Sequence, residues 1–219
     1  MKIIAILSLL ALINCVGNTE WVPSSSEQST PEQEAIVEIN YVEFEPEKMT
    51  DFTHDNFQVE SAFKLDSCYI LSAYADGDIA TSEKPTNWGD RLVLYKNEQI
   101  RFQSKPVGDV YLYEPHFYKN DLNDKTIIIC QLGYEYFFGG EVFMYENGEL
   151  TFMGAIEVEA EKEELRMTEM IQITEQAEMI NFYFDSEQLI FKPGDKDSLI
   201  ENNNFHYRYK AQSWTLNGL

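Results

Sequence analysis

Side chains that can do chemistry are present in quantity but not in constellations. The chain carries three cysteines (Cys15, Cys68, Cys130), three histidines (His54, His116, His206) and 38 carboxylates against 16 Lys and Arg. The histidines are far apart in sequence, and none has a second metal-binding residue at i+2 or i+4. They read as structural or surface histidines rather than metal ligands. No GxSxG, HExxH, phosphate-binding loop or GxGxxG segment occurs, which weighs against an enzyme. Acid pairs are so numerous that any two carboxylates make a nominal glycosidase dyad, and only their separation in space would define one. The run of acids at Glu157, Glu159, Glu161, Glu163 and Glu164 reads as a solvated edge or helix face.

Two loops combine aromatic rings with Gly and acids or amides: Trp88 within Thr86–Asp90, and Tyr134 with Tyr136 within Tyr134–Gly140. Sugar rings stack their apolar faces on Trp and Tyr while their hydroxyls bond Asp, Asn and Glu, so Trp88, Tyr134 and Tyr136 form a candidate ligand patch. Core packing of β-rich hairpins produces the same composition. Cys68 and Cys130 both sit in strand-like runs, outside CxxC or metal spacing. They are either a disulfide closing a loop of about 60 residues, stabilising by about 4 kcal/mol, or two buried thiols acting as small hydrophobes.

These side chains must be positioned by strands. The net charge of −22 repels phosphate backbones and anionic headgroups, so nucleic acid is excluded as a partner, while 44% hydrophobic residues are enough for a core. Strand-like runs occupy 35–44, 68–75, 91–95, 110–113, 126–132, 142–145, 150–158, 179–184, 189–191 and 205–209. Residues 159–172 read as a short charged helix or an extended edge loop. A pattern of aromatic, turn, polar, aliphatic and Phe recurs at 95–102, 145–152 and 184–191, and Asn147-Gly148 is a type I′ hairpin signal. The expected class is all-β: antiparallel hairpins forming a sandwich, a meander or an incomplete propeller-like array, with at most one short helix.

At the N-terminus, Lys2 precedes an apolar run ending in Leu12-Ile13-Asn14-Cys15, which resembles the lipobox of bacterial lipoproteins. The resemblance implies a signal peptide over 1–14, lipidation of Cys15, and outer-membrane placement, because Val16 stands where an inner-membrane retention signal would place Asp. A plain secretory signal is the alternative. Residues 16–34 are rich in Ser, Pro, Glu and Gln, so 15–34 reads as lipidated Cys plus tether and 35–219 as one β-rich domain. The stretch from Tyr118 through the Asn147-Gly148 hairpin resembles FG-GAP or propeller-type repeats of bacterial surface proteins. That resemblance implies a calcium loop in which Asp121 and Asn123 would be ligands; an ordinary Asx turn uses the same residues. The expected function is a non-catalytic binding module for an envelope protein or glycan, needing no cofactor and touching membrane only through its lipid. Alternatives are an exported hydrolase of polysaccharide or peptidoglycan using an Asp/Glu pair, and an acidic inhibitor or immunity-type protein.

Overall fold

Runs such as Thr126–Gly133 place β-branched or other bulky side chains on both faces of a strand, so both faces need a cover. The structure, a computed structural model, supplies one on each side. It describes residues 38–75, 87–135, 137–160, 166–184, 189–191 and 205–218, all within a unit spanning Ile36–Leu219. The expected signal peptide, Cys15, the tether and Tyr136 lie outside the described residues.

Three short strands open the domain: β1 (Ile39–Asn40), β2 (Val42–Phe44) and β3 (Glu47–Lys48). Three antiparallel meanders follow. The first comprises β4 (Gln58–Leu65), β5 (Cys68–Ala75), β6 (Gly89–Lys96) and β7 (Gln99–Gln103). The second comprises β8 (Leu112–Lys119), β9 (Thr126–Gly133), β10 (Phe137–Glu146) and β11 (Glu149–Ala160). The third begins with β12 (Ile171–Gln176) and β13 (Met179–Phe184), makes an excursion through β14 (Leu189–Phe191), and ends with β15 (His206–Lys210) and β16 (Ser213–Asn217). During the excursion β14 pairs with β11 of the middle sheet.

All eight residues of β9 are buried, and they divide between two cores by the strand period of two. Ile127 and Ile129, with Val142, pack against Ile173, Ile180 and Phe182 of the third sheet. Ile128 and Cys130, with Phe143, pack against Ile70, Leu92 and Leu94 of the first. A smaller cluster on the far face of the first sheet, Leu71, Ala73 and Val93, is covered by Met49, Phe52 and Phe57. Trp214 fastens the last strand: its ring lies over Gly154, and its Nε1 donates to the Ala155 carbonyl at 3.0 Å.

The opening segment crosses the layers. Ile39–Asn40 pair with β12, Val42–Phe44 with β8 and Glu47–Lys48 with β4, the first strand of each meander. Stacked sheets lie about 10 Å apart and a strand rises about 3.3 Å per residue, so three or four residues per layer suffice. The segment is a strap across one edge of the stack.

All-β architecture is as expected, with corrections in detail. Strands β3, β4, β7, β12 and β16 were absent from the expected runs, and β8 extends well beyond 110–113. Two of the three recurring segments are hairpins, β6–β7 and β10–β11. The third, 184–191, is not one, because Phe184 ends β13 whereas Leu189–Phe191 pair with Val158–Ala160. The corresponding turn of the third sheet is Ala211-Gln212 between β15 and β16. Within 159–172 the described helix is a single 3-10 turn, Met167–Glu169.

A middle sheet covered twice makes a sharp expectation. Ile128→Ala and Ile129→Ala, on opposite faces of β9, should each cost about 2–5 kcal/mol in urea unfolding. A near-zero cost for either one would mean that its face of β9 is not covered.

Candidate functional site

A cleft of about 430 Å³ opens where β4 and β8 meet under the strap. Alternation in β8 turns Phe117 toward the first sheet, where it meets Phe63 at a ring separation of 4.9 Å and Phe44 of the strap at 6.2 Å. These rings give the cleft an apolar floor. Its polar lining includes Glu43, Glu60, Glu114 and His116. A register shift between Val59 and Ser61 marks a bulge at Glu60, the kind of irregularity that re-aims a side chain at a sheet edge.

The charges at the cleft are partly committed. His116 Nδ1 lies 2.9 Å from Glu43 Oε1, joining β8 to the strap, and Arg166 Nη1 donates to Glu114 Oε2 at 2.6 Å. Ser72 Oγ donates to the Tyr113 carbonyl at 3.0 Å, and the Tyr113 hydroxyl donates to Glu141 Oε2 at 2.7 Å. Burial raises the carboxyl of Glu60. Burial first, and then the neighbouring charge of Glu60, push Asp90 up to about 6. Glu141 is also raised by burial, against the opposing hydrogen bond from Tyr113. Glu60, Asp90 and Glu141 therefore shift in one direction. A hydrolytic pair divides its roles, with one acid held protonated and its partner held ionised; the charge of Glu60 does help hold the proton on Asp90, but Asp90 is buried and lies outside the lining of the cleft.

Tyr111 borders the cleft, whereas Tyr134 and Trp88 lie outside its lining. Tyr111 is 60% exposed, and its ring lies against Gly133, where a Cβ atom would sit 2.8 Å from it. Tyr134 meets Phe138 edge to face at 6.3 Å, and the charge of Asp109 reaches its hydroxyl. Trp88 packs on Gly108, where a Cβ would come within 2.7 Å of the indole. Segment 108–111 thus links Trp88 to Tyr134, two residues of the sequence-derived patch. Sequence reasoning missed Tyr111, whose neighbours in Val110–Tyr113 read as a strand, and it missed Glu60 among 38 acids, while Asp90 entered only as the end of the Trp88 loop.

Other expected sites separate from this one. Cys68 and Cys130 are free and buried, not bonded to each other. Cys68 lies under the Asn147-Gly148 turn, with Sγ 3.8 Å from where a Gly148 Cβ would be, at the Tyr145 end of the core. Tyr145 pairs with Thr126, whereas Cys130 lies four residues further along β9, about 13 Å away. Disulfide geometry needs the two Cα atoms within about 7 Å.

Asp121 and Asn123 belong to an Asx turn. Asn120 Oδ1 accepts from the backbone N–H of Leu122 and Asn123, while Asn123 Oδ1 accepts from Asn120 Nδ2 and the Lys125 N–H. Asn123 Nδ2 donates to Glu175, which also pairs with Lys125. Burial alone would raise the Glu175 carboxyl, yet hydrogen bonds from Lys125, Tyr41 and Asn123 hold it below its ordinary value. Among the described residues, no three His, Cys, Asp or Glu side chains are grouped to hold a metal ion, and no helix is long and apolar enough to cross a membrane. Comparison of the chain with protein-family models, curated proteins and solved structures finds no match.

The Asp90 environment has a pH consequence. Its carboxyl rises from 3.8 to about 6 on folding, so the folded protein binds more protons than the unfolded chain between those values. Stability associated with this group is present below the lower value and lost as pH rises through the upper one. Asp90→Asn, neutral throughout, should gain in urea midpoint relative to wild type between pH 4 and pH 6, about where Asp90 titrates, with a constant difference above about pH 7. A difference that does not change with pH would contradict this assignment.

Proposed function

We propose that the protein is an exported lipoprotein, anchored through Cys15, whose β-rich domain is a non-catalytic binding module for a protein or glycan partner in the cell envelope. The carrying observation is the cleft between β4 and β8, an aromatic floor with hydrogen-bonding walls and the exposed ring of Tyr111 at its rim. Such a surface can stack the apolar face of a sugar or a peptide side chain while carboxylates accept hydrogen bonds from its hydroxyls or N–H groups. Outer-membrane placement follows from the lipobox resemblance, and residues 16–34 would hold the domain clear of the lipid.

A second reading, hydrolysis of polysaccharide or peptidoglycan, has one observation in its favour: Asp90 at about 6 is poised as a general acid near neutral pH. Asp90 is buried and does not line the cleft, where a substrate would sit, so binding is the better supported reading.

Screening the protein against envelope glycans and peptides tests the proposal. Tyr111→Ala should weaken the best ligand by about tenfold, the loss of one stacked ring, with no change in that ligand's covalent structure after prolonged incubation. Ligand cleavage abolished by Asp90→Asn would establish the hydrolase instead. In bacterial membranes, wild type should carry acyl mass at Cys15 and Cys15→Ala should lose the membrane fraction; an unlipidated wild type would remove the anchor.

A further inference from the structure

A second, polar pocket of about 670 Å³ lies where the β4–β5 turn, the β8–β9 loop and the Asn147-Gly148 turn converge. Three of the chain's 16 basic residues, Lys96, Lys119 and Lys125, line it, in a protein of net charge −22. Lys125 is neutralised by Glu175. Lys119 Nζ sits 4.8 Å from the ring centre of Phe44, a cation–π contact that holds the ammonium in place without cancelling its charge. Lys96 is half-buried, its Nζ lying 2.6 Å from where a Gly148 Cβ would be, so the Gly at this turn leaves room for the ammonium. Neither Lys96 nor Lys119 forms an ion pair among the described residues.

The acids of the pocket are placed differently. Asp121 and Asp124 are exposed, and Asp66 accepts the Tyr145 hydroxyl at 3.1 Å. Ser67, Asn120, Thr126 and Asn147 provide neutral hydroxyl and amide groups, and apolar lining is confined to Phe44, Leu65 and Tyr145. Two ammoniums without carboxylate partners beside neutral hydrogen-bonding groups suit a small oxyanion carried on a hydroxyl-bearing body. The surrounding negative field disfavours polyanions, so the ligand carries low charge.

We propose that this pocket, separate from the β4–β8 cleft, binds the oxyanion of a small acidic sugar, a carboxylate, sulfate or phosphate on a polyhydroxyl body, with Lys96 and Lys119 as its cationic contacts. Calorimetric titration of the full chain with glucuronate, glucose and inorganic phosphate tests it. Glucuronate should bind at least tenfold more tightly than glucose, and Lys96→Gln and Lys119→Gln should each weaken it by about tenfold. Lys96→Arg should retain binding, and Tyr111→Ala should leave it unchanged, which separates this pocket from the cleft. Competition by phosphate would assign recognition to the anion itself, and glucuronate binding without competition would assign a share to the sugar body. Equal affinity for glucose and glucuronate, binding of neither acid, or indifference to both lysine substitutions would overturn the proposal.

Discussion

Burial of both faces of β9 is the constraint from which the rest of the domain follows. A strand reading Thr-Ile-Ile-Ile-Cys-Gln-Leu-Gly has no face suited to water, so a two-layer sandwich would leave an apolar stripe exposed. Covering it twice requires a sheet on either side, and the chain supplies one meander before and one after. Sequential meanders keep most contacts between neighbours in the chain, and the long-range closure falls to the strap and to β14. β14 makes its own tie by crossing from the third meander to β11.

Stacking also explains where binding surfaces arise. Apolar side chains fill the seam between the first and middle sheets along Leu92, Leu94, Ile128 and Phe143, and the filling ends where Glu60, Asp90 and Glu141 begin. Carboxylates at the end of an apolar seam lose water, and at Asp90 this outweighs the opposing charge of Arg91, so their pKa values rise. The strap roofs the same seam through Phe44 and the Glu43–His116 contact, so a segment needed to join the layers also forms a wall of the cleft. Phe44 borders the lysine-lined pocket as well, and one side chain of the strap therefore separates an acidic concavity from one with unpaired cations.

What the sequence disclosed follows from where apolar residues were dense. Continuous runs such as 68–75 and 126–132 were legible because they are buried on both faces. β4, reading Gln-Val-Glu-Ser-Ala-Phe-Lys-Leu, alternates imperfectly because the bulge at Glu60 breaks its period, and β12 and β16 are short and polar on one face. Asn147-Gly148 announced its turn, whereas Ala177-Glu178 and Ala211-Gln212 adopt positive φ at both central positions without Gly or Asn. Those two turns had no local signal, and pattern matching chose 184–191 in their place. Pro115 hid the length of β8; it is tolerated because β2 reaches only Phe117–Lys119, leaving that edge unpaired. Trp88 and Tyr134 stand out by composition, yet neither lines the cleft. Tyr111 needed the fold that brings segment 108–111 between them.

The ranking of local stability across the stack is the most direct reading of this architecture. Amide hydrogen exchange of the native protein, resolved by residue, should find the slowest exchange in β9 and the adjoining part of β10, with far faster exchange in edge strand β7 and in the strap's two- and three-residue ladders. Exchange of β9 amides at rates matching those of β7 would contradict a middle sheet covered on both faces, and with it the seam that forms the cleft.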